Sequence, residues 1–220
     1  MKITWLGQAG LLFENESLKI MIDPYLSDSV EKVNSKNYRR VPVDAEFYDT
    51  QPDVMIFTHD HLDHYDPETA PKFLNNGSRC LVLSPTSVWN EVRKLGGENN
   101  YVQFNRHTEW SENGVKFTAV KAEHSDPYAI GVIIDDGEKK YYVTGDTLYN
   151  EEIFTDIPSG IDVLFLPING VGNNMNAEDA KRFAKRVGAK AVVPIHFGMF
   201  DEIKPVGFEF IPEIYKEIKL

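Results

Sequence analysis

The chain has 220 residues, enough to bury a sizeable core, and is expected to form a single domain over 1–220. Its 42% hydrophobic content, with three Trp, thirteen Phe and ten Tyr, excludes broad disorder. A formal net charge of −11 with dispersed Lys and Arg argues against a nucleic-acid partner, and a single cysteine, Cys80, excludes intramolecular disulfides and a cysteine-built zinc cage.

The N-terminal stretch MKITWLGQAGLLFENESLKI has no basic region followed by a long apolar one, and no segment approaches the roughly 18 apolar residues of a membrane span. A cytoplasmic location is the expectation. Along the chain, KITWL, GLLF, LKIMI, VMIFT, CLVLS and YVQF read as short strands separated by turns. The polar stretch from Ser27 to Thr50 has no periodicity and reads as a surface loop or a lid. SPTSVWNEVRKLGG reads as a helix with Ser84 as N-cap, Pro85 in the first turn and Gly96 at its end. VKFTAVKA is a further strand leading towards His124, and AIGVIIDDGEKKYYVTGD reads as two strands joined at Asp136-Gly137. VLFLP and AVVPIH are buried-strand candidates on either side of a helix, NAEDAKRFAKRVG, capped by Asn176 with acids in its first turn. Strands that alternate with helices in both halves predict an α/β (α+β) chain, sheets covered by helices, as in a four-layer αββα sandwich.

The stretch THDHLDH, residues 58–64, holds three of the six histidines just after an apolar strand. A lone histidine in a loop is ordinarily solvated, but imidazoles and carboxylates this crowded point to a shared metal. His59 and His61 are two apart and share a side if the extended geometry continues, while Asp63 and His64 face a neighbouring position once the chain turns. Nitrogen and oxygen ligands suit Zn, Mn or Fe better than Ca or Mg.

HDHLDH resembles the HxHxDH signature of the metallo-β-lactamase superfamily, and the parts that follow in order are similar too: Asp23 in MIDPY, His124 in KAEHSD, Asp146 in VTGDT and His196 in VVPIH. The resemblance implies the metallo-β-lactamase fold and two divalent metal ions, Zn or Mn, with Fe as the alternative. It implies that His59, His61 and His124 hold one ion, that Asp63, His64 and His196 hold the other, and that Asp146 bridges them. Asp63 and Asp146 would be the catalytic carboxylates, and Asp23 would orient a ligand histidine. Taken singly, His124, Asp146 and His196 read first as structural residues, and Asp23, next to Pro24, as a residue that opens a turn. His107, in no motif, is assigned to the surface or to a core hydrogen bond.

With two dications against Asp63, Asp146 and a hydroxide, the site would carry about one net positive charge. A water acidified by metal would then attack an ester directly. The segments TWLGQAG and LPINGVGNNMNAEDAKRFAKRVGAKAVVPIHFGMF look similar to the branch that includes L-ascorbate-6-phosphate lactonase, which makes a small anionic ester, a lactone first, the expected substrate. A phosphodiesterase or phospholipase D-like hydrolase is the alternative, and a non-hydrolytic metal-binding or di-iron redox protein the outsider; His61, where the di-iron enzymes usually carry Glu, argues against the last. Asn169 and the Lys36, Arg39 and Arg40 cluster are candidate contacts for an anionic group, against the ordinary roles of loop cap and solvated patch.

Overall fold

The computed structural model describes all 220 residues. The first sheet runs in the order β1 (Lys2–Gly7), β2 (Gly10–Glu14), β3 (Lys19–Ile22), β4 (Val54–Ile56), β5 (Leu81–Ser84) and β6 (Asn100–Gln103). β1 to β3 pair antiparallel, and β3 to β6 pair parallel. The second sheet is built from β7 (Glu109–Glu112), β8 (Val115–Lys121), β9 (Ile130–Asp135) and β10 (Lys140–Val143), which are antiparallel, with β11 (Val163–Pro167) and β12 (Ala191–Ile195) added in parallel. No helix is long and apolar enough to cross a membrane.

The strands of the first sheet are apolar on both faces because both faces are covered. Trp5, Leu11, Phe13, Ile20, Ile22, Val54 and Ile56 point into the core shared with the second sheet. The residues between them, Leu6, Leu12, Met21 and Met55, point the other way, onto α2 (Ala70–Leu74) and α3 (Thr86–Val92). On the far side, Phe183 of α4 (Ala177–Val187) packs on Tyr142 of β10 with ring centroids 6.2 Å apart. Helices thus lie outside two facing sheets, the αββα arrangement.

Several local expectations need amending. Ser84 does not cap α3: it completes β5, and Pro85 stands at the cap position without a side-chain hydrogen bond. Asn176 caps α4 as its residue type suggests, accepting from the amides of Glu178 and Asp179. β7 escaped notice because EWSE has too few apolar residues to show a pattern. The Ser27–Thr50 stretch is neither free loop nor unstructured. It carries α1 (Ser29–Val33) and a 3-10 turn, Ala45–Asp49, and is docked by the Tyr48 hydroxyl on the Leu26 carbonyl and by Arg39 on the Tyr25 carbonyl at 2.8 Å. The chain's last residues run beside β1, where Ile218 donates to Ile3 and Tyr215 to Trp5, so this edge is not left bare.

Phe13 bridges the sheets, its ring 5.5 Å from that of Tyr141 and 5.7 Å from that of Phe165. Phe13→Ala should cost about 3–5 kcal/mol of folding stability. A urea titration checks this, and an unmoved midpoint would show that the inter-sheet core does not depend on the ring.

Candidate metal centre

The residues singled out in the sequence leave the carboxyl ends of strands, where ligands gather in parallel sheets. Asp23 follows β3, the 58–64 stretch follows β4, His124 follows β8, Asp146 follows β10, Asn169 follows β11 and His196 follows β12. The parallel register aligns Val143, Phe165 and Val193, which brings the segments after three of these strands to one edge. The edge is tightly built. A side chain on Gly145 would place its Cβ 2.7 Å from the Ile130 carbonyl, so only glycine lets the chain pass Thr58 on its way to Asp146. Asp23 and His196 adopt left-handed backbone angles, φ 42° and 58°, uncommon outside glycine.

All seven predicted ligands come together. One donor atom each from His59, His61, His124 and Asp146 lie within 4.8 Å of one another, and so do those of Asp63, His64 and His196. The Asp146 carboxylate stands between the groups: Oδ1 is 3.3 Å from His64 Nε2, and Oδ2 is 3.3 Å from His196 Nε2 and 4.0 Å from His124 Nε2. Asp23, fully buried, accepts from the Thr58 amide and hydroxyl and from His64 Nδ1 at 2.8 Å, which turns His64 Nε2 towards Asp146. His107 lies elsewhere, 3.2 Å from Asp156.

The donor set fits a cation. His124 Nδ1 lies 3.2 Å from the Asn173 carbonyl, which can only accept, so the proton of the neutral ring sits there and Nε2 is a bare lone pair. That lone pair faces His61 Nδ1 at 3.2 Å, while His61 Nε2 has the Ser125 hydroxyl at 3.1 Å as its outer partner. His59 Nε2 and Asp146 Oδ1 are buried without a hydrogen-bond partner. Buried nitrogens and oxygens that aim at one another, rather than at donors, are what a metal ion satisfies.

Other residues of this site escaped the sequence reading. Gln8 Nε2 donates to Asp63 Oδ2 at 2.9 Å, and its backbone carbonyl accepts from the His196 amide. Asn174 Nδ2 donates to Asp146 Oδ2 at 2.7 Å. Asp126 accepts from the Asp60 amide and from the Ser87 hydroxyl, joining the 58–64 loop to α3 and to the loop that carries His124. Gln8 and Asn174 lie inside the TWLGQAG and LPINGVGNNMN segments, but no spacing within them separates these two from their polar neighbours, and Asp126 carried no signal at all. No residue of the basic cluster, by contrast, lines the cavity beside the ligands. Arg39 is spent on the Tyr25 carbonyl and Tyr215 hydroxyl, and Arg40 on Glu202. Beside the two ligand groups opens a cavity of about 240 Å³ with Asn169 in its wall and no lysine or arginine among its lining residues. The expected anionic substrate therefore finds no cationic side chain there.

Residues 19–197 match the family described as Beta-lactamase superfamily domain. The chain belongs to the beta-lactamase superfamily. It is 28% identical to a UPF0173 metal-dependent hydrolase of Bacillus thuringiensis, over 97% of this chain and 93% of the relative. It is 26% identical to a UPF0173 protein of Pyrococcus furiosus, over 95% and 89%. Among solved structures, an isothiocyanate hydrolase from Delia radicum gut bacteria shares the fold with a TM-score of 0.75 at 18% identity, over 100% of this chain and 99% of that one.

Electrostatics within this superfamily site are set by burial and by facing charges. Burial alone would lower His64 and His196, but Asp146 and its companion carboxylates reverse this, holding His64 well above the usual range and raising His196 to about 10. Burial would raise Asp146 and Asp63, yet the same histidines hold both below the usual carboxylate range. Burial lowers His59 and His124. Without metal, His196 therefore keeps its proton at neutral pH.

Three expectations follow from these charges and contacts. Metal uptake at pH 7 should release protons, measurable in weakly buffered solution, and the metal-free chain should lose stability as pH rises from 6.5 through about 10 as His196 gives up its proton; proton-neutral uptake would contradict both. Asp23→Ala, which frees His64 to rotate, should weaken metal affinity roughly 10–100-fold in competition with a chelator, whereas unchanged affinity would show that packing alone orients the ring.

Proposed function

We propose that this chain is a metal-dependent hydrolase of a small carboxylic ester, a lactone first, and that its two ligand groups hold two divalent ions, Zn or Mn. The observation that carries the reading is the placement of Asp146, one carboxylate grouped with His59, His61 and His124 and within 3.3 Å of His64 and His196 of the other group. Imidazole and carboxylate together suit these metals. Bound there, the metals supply polarisation of the ester carbonyl and acidification of water. The family membership and the relatives named as metal-dependent hydrolases support the same class.

The chain's own residues set the remaining roles. Asp63 reaches the cavity wall and is anchored by Gln8. As a carboxylate it could take a proton from water and pass it to the leaving oxygen. Asp146, gripped by Asn174, fixes the spacing of the ligand groups. His61 and His124 keep their inner nitrogens free because Ser125 and the Asn173 carbonyl occupy the outer ones. A lactone is preferred to a phosphodiester because the cavity offers no side-chain cation to a phosphate.

His61→Ala and Asp146→Ala should each lose at least one equivalent of metal by elemental analysis and fall by roughly 10³-fold or more in lactone hydrolysis. Full turnover in both variants would sink the reading.

A further inference from the structure

Thr58 Oγ lies between the two ligand groups, 3.1 Å from His59 Nδ1 and 3.4 Å from His64 Nδ1, but the other fastenings differ. His64 is held by Asp23, Asp63 by Gln8 Nε2, and His196 by the Gln8 carbonyl. The group of His59, His61 and His124 is closed instead by three successive residues that follow β8. His124 Nε2 lies 3.2 Å from His61 Nδ1, the Ser125 hydroxyl lies 3.1 Å from His61 Nε2, and Asp126 Oδ2 accepts from the Asp60 amide at 3.3 Å. Asp60 stands between His59 and His61, so this last contact fixes the backbone that carries both. Asp126 is buried, and it also accepts from the Ser87 hydroxyl on Oδ2 and from the Tyr128 amide on Oδ1 at 2.8 Å. Both of its oxygens are thereby committed to donors, as burial of a carboxylate demands.

We infer, on the two-ion reading above, that Asp126 is a positioning residue for the first group alone: it sets the spacing of His59, His61 and His124, so one ion can be lost through it while the other stays. Without its carboxylate, the loop bearing His124 and Ser125 is no longer tied to Asp60. His124 then keeps only the Asn173 carbonyl, which draws it towards another loop, and His61 keeps a single hydroxyl. The Asp23 and Gln8 contacts of the second group are untouched. A backbone bond from the Ile130 amide to the Thr58 carbonyl brackets the same loop and holds the sheets in place when Asp126 is replaced. Asparagine does not substitute for it. Whichever way the carboxamide turns, its amino group opposes either the Asp60 or the Tyr128 amide, donor against donor.

The test titrates zinc into the full chain against a competing chelator. Asp126→Ala and the near-isosteric Asp126→Asn, both checked for folding by circular dichroism, should weaken one equivalent roughly 10–100-fold and leave the other unchanged. Nuclear magnetic resonance of the histidine ring nitrogens identifies the survivor: one equivalent of zinc should shift His64 and His196 and not His59, His61 or His124. Ser87→Ala, which removes a donor to the same oxygen without untying two ligand segments, should keep both equivalents. Equal weakening of both, retention of both, loss at His64 and His196, or the same loss in Ser87→Ala overturns the inference. Should Asp126→Ala not fold, Asp126→Asn decides. A wild-type chain that binds one equivalent sinks the two-ion reading; the inference then stands only if that ion shifts His59, His61 and His124 and is weakened in the variants, and otherwise falls.

Discussion

The Asp146 carboxylate is buried between two groups of imidazoles, and much else in the molecule serves to put it there. A buried carboxylate is tolerated only when positive charge or donors surround it. Here His64 and His196 approach it from one group and His124 from the other, while Asn174 donates to Oδ2. The histidines in turn come from both sheets: His64 follows β4 of the first, His124 and His196 follow β8 and β12 of the second. The site therefore exists only when the sheets face each other, and the interlocked core around Phe13 is part of the binding chemistry.

A network of outer contacts holds the ligands in a form ready for metal. Asp23 reaches Thr58 and His64, Thr58 reaches His59, and Ser125 and the Asn173 carbonyl reach His61 and His124. Each outer contact occupies the ring nitrogen facing away from the centre and so decides which nitrogen is left to bind. Left-handed backbone at Asp23, Gln8 and His196 marks where the chain bends sharply to present these groups. The Asp23 amide donates to the Ile56 carbonyl and the His196 amide to the Gln8 carbonyl, which hold these bends in place.

Continuous apolar runs made the inner strands of the first sheet legible, because a strand covered on both faces must be apolar along its buried length, as Ile20–Ile22 and Val54–Ile56 are. The density of His and Asp in HDHLDH made the ligands legible, since few structural needs place so many metal-binding groups together. β7 was not legible, for EWSE carries almost no apolar signal. Nor was the docking of the Ser27–Thr50 stretch, which depends on single contacts from Tyr48 and Arg39 to distant carbonyls.

By itself, then, the sequence determined the class of fold and the atoms able to bind metal, since both follow from side-chain type and spacing. Tertiary structure alone decided what surrounds those atoms. It spent Arg39 and Arg40 on Tyr25, Tyr215 and Glu202, and it brought Gln8, Asn169 and Asn174 to the cavity wall from positions far apart in the chain. The physical reason is that a hydrogen bond needs its partner within about 3 Å and in line. Periodicity carries no information about which of many polar turn residues will meet that condition across two sheets.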